Sequence, residues 1–166
     1  MMKFCPDCGT QLQEKFHERE QKLLPYCECC GRFKYPTYNT AVSMVVTDER
    51  EEKILLIKQY GRQTCVLVAG YVNRGEAAEH AVAREVMEEL SLEVTSVRFN
   101  ESRFYERTNT LMLNFSCKVK DMEARPNEEI DSWYVLTREE AKEMISPGSL
   151  AEQFLLHWME KNPIET

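Results

Sequence analysis

Residues 70–92 read GYVNRGEAAEHAVAREVMEELSL, and this run places three carboxylates on one side of a helix. Glu85, Glu88 and Glu89 are spaced i, i+3 and i+4, so an α-helix brings their side chains together. Like charges this close repel unless a cation neutralises them, and carboxylate oxygens are the hard ligands that Mg²⁺ and Mn²⁺ prefer. Taken alone, such a triplet is more often a solvated acidic surface, because acidic surface helices are common.

The same run supplies a loop ahead of the helix and an apolar stripe along it. Gly70 and Gly75 bracket the loop and permit a tight or left-handed backbone there. A loop that leads into a helix N-terminus offers backbone N–H groups to an anion. Val82, Val86 and Leu90 are spaced by four, which predicts that the helix packs its apolar side on a sheet.

The segment resembles the Nudix box, G-x5-E-x7-R-E-U-x-E-E-x-G-U, in which U is an aliphatic residue. The matching positions are Gly70, Glu76, Arg84, Glu85, Val86, Glu88, Glu89 and Leu92. The one departure is Ser91, which stands where the family has Gly. We expect Ser91 to end the helix, because Gly is favoured but not required at that position. So many fixed positions at fixed spacing make a plain acidic surface the weaker interpretation.

This resemblance implies an α/β (α+β) fold, the Nudix α/β/α sandwich with a mixed sheet. It implies a hydrolase that cleaves the diphosphate linkage of a nucleoside diphosphate derivative. Glu85, Glu88 and Glu89 would bind Mg²⁺ or Mn²⁺, and Arg84 would pair with Glu76 to orient the loop and the helix. The metal would offset the substrate's charge and activate a water molecule.

The reaction also needs a carboxylate that accepts the proton of the attacking water. Glu85 and Glu129 are the candidates for this role. Glu129 belongs to the stretch NEEIDSW, residues 127–133, which is similar to the family's E-I…W segment before the last strand. A charged loop is the alternative reading of that stretch. The predicted catalytic residues are therefore Glu85, Glu88, Glu89, Arg84 and Glu129.

The remaining apolar pattern predicts strands and helices in mixed order, which favours an α/β sandwich over a doubly wound sheet. Predicted strands are 41–46, 53–58, 65–68, 92–99, 111–119 and 132–136, and predicted helices are 76–90, 138–145 and 149–160. Thr137 and Glu140 form a predicted capping box for the second of these helices.

Residues 1–36 differ from the rest of the chain because they are rich in cysteine and poor in aliphatic residues. Two C-x-x-C pairs, Cys5/Cys8 and Cys27/Cys30, are separated by 18 residues, a spacing typical of zinc ribbons. Four thiolates would close the coordination shell of Zn²⁺, so the metal would be structural. The predicted domains are a zinc ribbon, 1–36, and a Nudix domain, 37–166. Cys29 is surplus and could compete as a ligand.

A ribbon, a Tyr35–Pro36 joint and a Nudix domain together resemble the NADH pyrophosphatase subfamily. That subfamily carries S-Q-P-W-P-F-P-Q-S after the box, whereas residues 102–110 here read SRFYERTNT. Asn73 also stands where a loop Glu is common. The resemblance therefore leaves the substrate open among NAD(H), ADP-ribose, FAD and other nucleoside diphosphate derivatives.

Substrate contacts are predicted for Gly70 and Tyr71 beside the box and for Phe104 and Tyr105 after it. The aromatic rings could stack on a nucleobase. Packing within a sheet is the alternative, because aromatic residues are enriched in strands.

Composition limits the kinds of partner that we expect. Lys and Arg number 21 against 28 Asp and Glu, a formal charge of −7, which disfavours nucleic-acid binding over a broad basic face. No apolar run approaches the ~18–20 residues of a membrane span, and residues 1–6 do not begin a signal peptide, so we expect a cytoplasmic protein that contacts no membrane.

Three hypotheses about partners stay open. The first is a small nucleotide diphosphate substrate, for which the resemblance also allows a homodimer. The second is removal of nucleotide caps from RNA 5′ ends. The third is a weakened Nudix fold that binds a nucleotide or RNA through the ribbon, against which the intact charged cluster argues.

Overall fold

A computed structural model gives the fold of residues 2–163. Backbone contacts divide the chain into two compact units, Met1–Tyr38 and Asn39–Thr166. The boundary predicted from the sequence, between residues 36 and 37, lies two residues earlier. Each unit has its own sheet, and each is described by itself.

The small unit is a three-stranded antiparallel sheet with almost no apolar interior. Its strands are β1 (Gln13–His17), β2 (Lys22–Cys27) and β3 (Arg32–Phe33), in the order β1-β2-β3. Among residues 2–38, the buried apolar side chains are Cys5, Leu24 and Cys27. A core of this size cannot offset the loss of conformational entropy on folding. This unit therefore needs another source of stability.

The large unit is built on a six-stranded mixed sheet. Its strands are β4 (Asn39–Thr47), β5 (Lys53–Gln59), β6 (Val68–Tyr71), β7 (Val94–Tyr105), β8 (Thr110–Val119) and β9 (Ile130–Thr137). The order is β7-β8-β4-β5-β9, and β6 pairs with β4. β4 and β8 run parallel, whereas the other pairs are antiparallel, so the sheet is mixed as predicted.

Helices cover both faces of this sheet, which confirms the predicted α/β/α sandwich. They are α1 (Ala78–Leu90), α2 (Arg138–Met144) and α3 (Leu150–Lys161). Successive residues of a strand point to opposite faces, so Met44 packs with α1 while Val45 packs with α2 and α3. The α1 stripe of Val82, Val86 and Leu90 is fully buried, as the spacing by four predicts.

Two helix ends follow the predictions. Ser91 ends α1 in a left-handed conformation with φ of 56°, and its N–H donates to the carbonyl of Met87. The Thr137 side chain accepts from the N–H of Glu140, whose carboxylate accepts from the N–H of Thr137, so the capping box is present. None of the helices within residues 2–163 has the length and apolar character that crossing a membrane requires.

The third predicted strand, 65–68, is wrong in its position. Residues 65 and 66 make only isolated bridges, Cys65 with Ile145 and Val66 with Ile57. The regular strand is β6, which pairs with β4 from Val68 onward. Residues 65–67 therefore contact the core without forming a regular ladder, and apolarity alone does not distinguish such a segment from a strand.

Candidate active site and metal centres

The Arg84 side chain, from the middle of α1, joins the helix to the preceding loop and to the sheet. Its Nε donates to Glu76 Oε1 (2.8 Å), and its Nη1 donates to Glu85 Oε1 (2.8 Å) and to Glu88 Oε2 (2.9 Å). Its Nη2 donates to the carbonyl of Tyr71 at 3.0 Å and to Glu76 Oε2 at 3.0 Å. The guanidinium and, after it, the N–H of Asn73 lower the pKa of Glu76 to about 2. Arg84 therefore fixes the loop against both α1 and β6.

Glu89 has one carboxylate oxygen that is buried without a partner among the described residues. The residue is 6% exposed, and its Oε2 is buried without a hydrogen-bond partner. Burial, followed by the neighbouring carboxylates of Glu85, Glu129 and Glu88, raises the pKa of Glu89 to about 7. Buried polar atoms are nearly always paired, and a divalent cation would both pair this oxygen and relieve the repulsion. The donor set, all carboxylate oxygens, fits Mg²⁺ or Mn²⁺.

The three carboxylates of the predicted Mg²⁺ site are not tightly gathered. Within residues 2–163, the one group of metal-ligating side chains whose donor atoms all lie within 4.8 Å of one another is made of cysteines. One nitrogen of Arg84, Nη1, already holds an oxygen of Glu85 and an oxygen of Glu88. A divalent ion at this site would compete with the guanidinium for those oxygens.

Gly70 lies on β6 directly against the Glu85 carboxyl group. A Cβ at position 70 would stand 2.0 Å from the Glu85 Cδ atom, which is far inside contact distance. The sequence suggests a loop role for this glycine, whereas the structure gives a steric one. A hydrogen atom at this position is what allows Glu85 to reach the sheet.

Replacing Gly70 by Ala is expected to lower Mg²⁺-dependent turnover by about 10–100-fold, the range seen when the support of a metal ligand is lost. The added methyl group must push the Glu85 carboxyl group away from β6. Activity at saturating Mg²⁺ measures the effect. Gly148→Ala is the control for losing a glycine away from the site: its Cβ would meet nothing within 4 Å, so its left-handed φ of 71° can cost stability but should leave turnover unchanged. Wild-type turnover in Gly70→Ala would contradict the steric argument.

A cavity of about 430 Å³ opens beside the acidic end of the site. Its carboxylates come from Glu85, Glu89 and Glu129. Its other polar side chains are those of Gln59, Tyr60, Tyr71, Asn73, Thr108 and Thr110, and its apolar surface includes Met112. The described residues that line it include no Lys or Arg. Ionised carboxylates in this lining would repel a phosphate unless a cation accompanied it.

The structure separates the predicted substrate residues into two groups. Gly70 and Tyr71 line the cavity, and Tyr71 is exposed. Phe104 and Tyr105 lie at the end of β7 and do not line this cavity. Thr108, Thr110 and Met112, a few residues further on, line it instead.

Glu129 extends into the cavity from the loop before β9. Its Oε2 accepts a hydrogen bond from the Tyr60 hydroxyl at 3.0 Å, and its N–H donates to Asn127 Oδ1 at 2.9 Å. Glu88, in contrast, does not line the cavity, and its side chain is 58% exposed. The sequence analysis did not single out Tyr60. The only local signal there is the Tyr60–Gly61 pair, which is typical of a turn.

The four predicted zinc ligands lie together in the small unit. Sγ–Sγ distances are 3.8 Å for Cys5–Cys30, 3.5 Å for Cys8–Cys27 and 3.4 Å for Cys8–Cys30. A tetrahedral Zn²⁺ with bonds of about 2.3 Å requires sulfur separations of roughly 3.8 Å. Cys29 is exposed and outside the cluster.

Electrostatics support a cation among these thiols. The Thr10 side chain and backbone lower the pKa of Cys8 to about 6. Hydrogen bonding with Cys8, and after it with Cys27, raises the pKa of Cys30 to about 12. Without a metal, the four thiols therefore resist losing all their protons. A bound Zn²⁺ would stabilise the four thiolates.

Comparison with known proteins gives matches over most of the chain. The family model described as NUDIX domain matches residues 37–157. The "NAD-capped RNA hydrolase NudC" of Pseudomonas aeruginosa is 32% identical over 129 residues, which are 76% of this chain and 44% of that protein. The "NAD-capped RNA hydrolase NUDT12" of Pongo abelii is 28% identical over 181 aligned positions, covering 97% of this chain and 39% of that protein. The chain thus spans less than half the length of these relatives.

Solved structures agree on the fold. The crystal structure of a NUDIX hydrolase from Nitrosomonas europaea matches with a TM-score of 0.66 and 24% identity, over 97% of this chain and 92% of that one. A nudix hydrolase family member from Chromobacterium violaceum matches with a TM-score of 0.61 and 16% identity, over 80% and 84% of the two chains.

Proposed function

The chain belongs to the Nudix family, and from this premise we propose that it hydrolyses the diphosphate linkage of a nucleoside diphosphate derivative with the help of Mg²⁺ or Mn²⁺. One observation carries the proposal. Glu89 holds a buried, unpaired carboxylate oxygen beside a cavity that has two further carboxylates and no Lys or Arg among its described lining residues. Such a cavity suits a phosphate that arrives with a divalent cation.

Glu85, Glu88 and Glu89 would hold the cation, which offsets the charge of the diphosphate and lowers the pKa of a bound water. Arg84 orients this set, since its guanidinium binds Glu76 on the loop and the Tyr71 carbonyl at the end of β6. It thereby keeps the cavity wall and the helix in one arrangement, which limits reorganisation during the reaction.

Of the two candidates for the proton acceptor, we propose Glu129. Glu85 Oε1 accepts from Arg84 at 2.8 Å, and Glu85 is also a proposed metal ligand, so its carboxylate is less available to the attacking water. No salt bridge joins Glu129 to a cation within residues 2–163. Its carboxylate also lines the cavity, where an attacking water could be reached.

The substrate class rests on the size and lining of the cavity. Its volume of about 430 Å³ lies within the range of small-molecule sites. Tyr60 and Tyr71 offer rings on which a base could stack, and Thr108 and Thr110 offer hydroxyls. NAD(H), ADP-ribose and FAD share the required diphosphate, which links an adenosine to a second group. The two curated relatives act on NAD-capped RNA, so a capped RNA end is a further substrate to test.

We expect Mg²⁺- or Mn²⁺-dependent release of a nucleoside monophosphate from at least one of NADH, NAD⁺, ADP-ribose, FAD and NAD-capped RNA. Glu88→Gln should lower turnover by at least ~100-fold, because a neutral amide is a poor ligand for a hard cation. Chromatography of the products measures both quantities. Glu143→Gln, which neutralises an exposed carboxylate on α2, is the matched control.

Other outcomes distinguish the alternatives. Absence of turnover for every substrate, in a folded protein that binds Mn²⁺, would favour a nucleotide- or RNA-binding module. If RNA is preferred, affinity that falls steeply with salt would indicate contacts with the RNA backbone. Full activity in Glu88→Gln would contradict the assigned metal site.

A further inference from the structure

The strand β5 ends in a tight turn that carries an unusual tyrosine. The N–H of Arg62 donates to the carbonyl of Gln59 at 3.2 Å, which closes the turn over Tyr60 and Gly61. Both central residues are left-handed, with φ of 56° for Tyr60 and 69° for Gly61. Glycine adopts this conformation freely, whereas a bulky residue does so only where its surroundings hold it. Contacts of this turn with its surroundings therefore have to offset the cost of the Tyr60 backbone conformation.

Two contacts join this turn to the start of β9 and to the residue before it. The Tyr60 hydroxyl donates to Glu129 Oε2 at 3.0 Å, and the Gly61 N–H donates to Asp131 Oδ2 at 2.7 Å. Glu129 precedes β9 and Asp131 is its second residue, so one turn binds carboxylates on both sides of the point where the strand begins. The second contact anchors the backbone and the first contact restrains the side chain.

Glu129 needs such a restraint because its own surroundings provide little. It lies outside the regular strand and is exposed, and its backbone N–H is held only through Asn127. A free glutamate side chain samples several rotamers, and ordering it costs conformational entropy. A hydrogen bond to one carboxylate oxygen selects a position before the substrate arrives.

We propose that Tyr60 is a positioning residue for Glu129. Its hydroxyl donates a hydrogen bond to Oε2 of Glu129, which leaves Oε1 of Glu129 to accept a proton from the attacking water. Tyr60 itself transfers no proton. This inference rests on the proposed function, because it concerns the same cavity and the same carboxylate.

The test is Tyr60→Phe, which removes the hydroxyl and keeps the ring. We expect kcat to fall about tenfold, in the range seen when the support of a reactive group is lost. KM should stay unchanged, because any stacking of the ring on a base is kept. Thermal unfolding should be unchanged, since the side chain is 68% exposed. Tyr134→Phe is the matched control, because Tyr134 is on β9 but does not line the cavity.

Two further measurements separate positioning from other roles. In a Glu129→Gln background, Tyr60→Phe should cost nothing more, because residues that act through one another are not additive. Mn²⁺ affinity, followed by electron paramagnetic resonance, should be the same in Tyr60→Phe and wild type. This readout does not depend on turnover.

Several results would overturn the inference and leave the proposed function standing. These are wild-type kcat in Tyr60→Phe, a full additional loss in the Glu129→Gln background, or weakened Mn²⁺ binding in Tyr60→Phe. If the wild-type protein itself turns over no substrate, the proposed function fails first, and Tyr60→Phe is not needed to show it.

Discussion

Replacing Glu89 by Gln is expected to abolish turnover and, at pH 8 without Mg²⁺, to make the protein more stable. The loss of activity follows from losing a metal ligand, for which we expect at least ~1000-fold. The gain in stability follows from burial. In the wild type, an ionised Glu89 would lie beside three other carboxylates with one oxygen unpaired. A glutamine fills the same space without the charge.

The pH dependence of this effect has a definite sign. The pKa of Glu89 is raised in the folded protein from 4.5 to about 7, so the folded state binds this proton more tightly than the unfolded state. The stability that the protonated Glu89 carboxyl group contributes is fully present below pH 4.5 and is lost as the pH rises through 7. The loss is on the order of 3 kcal/mol at pH 8. Glu89→Gln should remove this part of the pH dependence.

Thermal unfolding between pH 5 and pH 8, in buffer without Mg²⁺ but with zinc retained, measures the difference. Adding Mn²⁺ should raise the wild-type Tm, because a ligand of the native state stabilises it, and should have little effect on Glu89→Gln. Glu88→Gln is the matched control, since its largely exposed carboxylate gains little from neutralisation. A Glu89→Gln protein that is less stable than wild type at pH 8 would show that the carboxylate is paired in solution.

Removing zinc should unfold the small unit. Its buried apolar side chains within residues 2–38 are Cys5, Leu24 and Cys27, two of which are predicted ligands. Structural zinc sites supply about 10 kcal/mol or more of folding free energy. Cys27→Ser should therefore lose the metal and the order of β1 to β3.

Hydrogen exchange on the full chain can test this directly. In Cys27→Ser, amide protection of β1 to β3 should disappear, while the amides of α1 and β4 keep theirs because the large unit has its own core. Zinc content by mass spectrometry should fall in parallel. Cys29→Ser is the control, since its thiol lies outside the cluster. Loss of zinc in Cys29→Ser, or full protection of β2 in Cys27→Ser, would contradict the assigned ligands.

The box could be predicted from the sequence because helical spacing is a local property. Glu85, Glu88 and Glu89 share one side of α1 whatever the rest of the chain does. The end of the helix at Ser91 is equally local. The same holds for the cysteine pairs, whose spacing reflects the geometry of a metal.

The part of the cavity lining formed by Thr108, Thr110 and Met112 could not be predicted in this way. The register of β7 against β8 shifts between Phe99 and Glu101. A second shift lies between Val94 and Ser96, and each extra residue exchanges the two faces of the strand for the residues that follow; no sequence pattern marks either shift. Phe104 and Tyr105 were predicted to contact the substrate because they are the aromatic residues in the stretch after the box, whereas Thr108 and Thr110 line the cavity. Tyr60 was missed because its partner, Glu129, is 69 residues away.

The ion pairs of Arg84 also affect how the site is loaded. The Arg84 guanidinium already donates hydrogen bonds to carboxylate oxygens of Glu85 and Glu88. A divalent ion bound through those same oxygens would have to displace the guanidinium, so part of the ion's intrinsic affinity would be spent on that exchange. An ion that arrives with a diphosphate would add the contacts of the diphosphate to the exchange. In the proposed reaction, Arg84 would thereby couple the binding of the metal to the binding of the nucleotide.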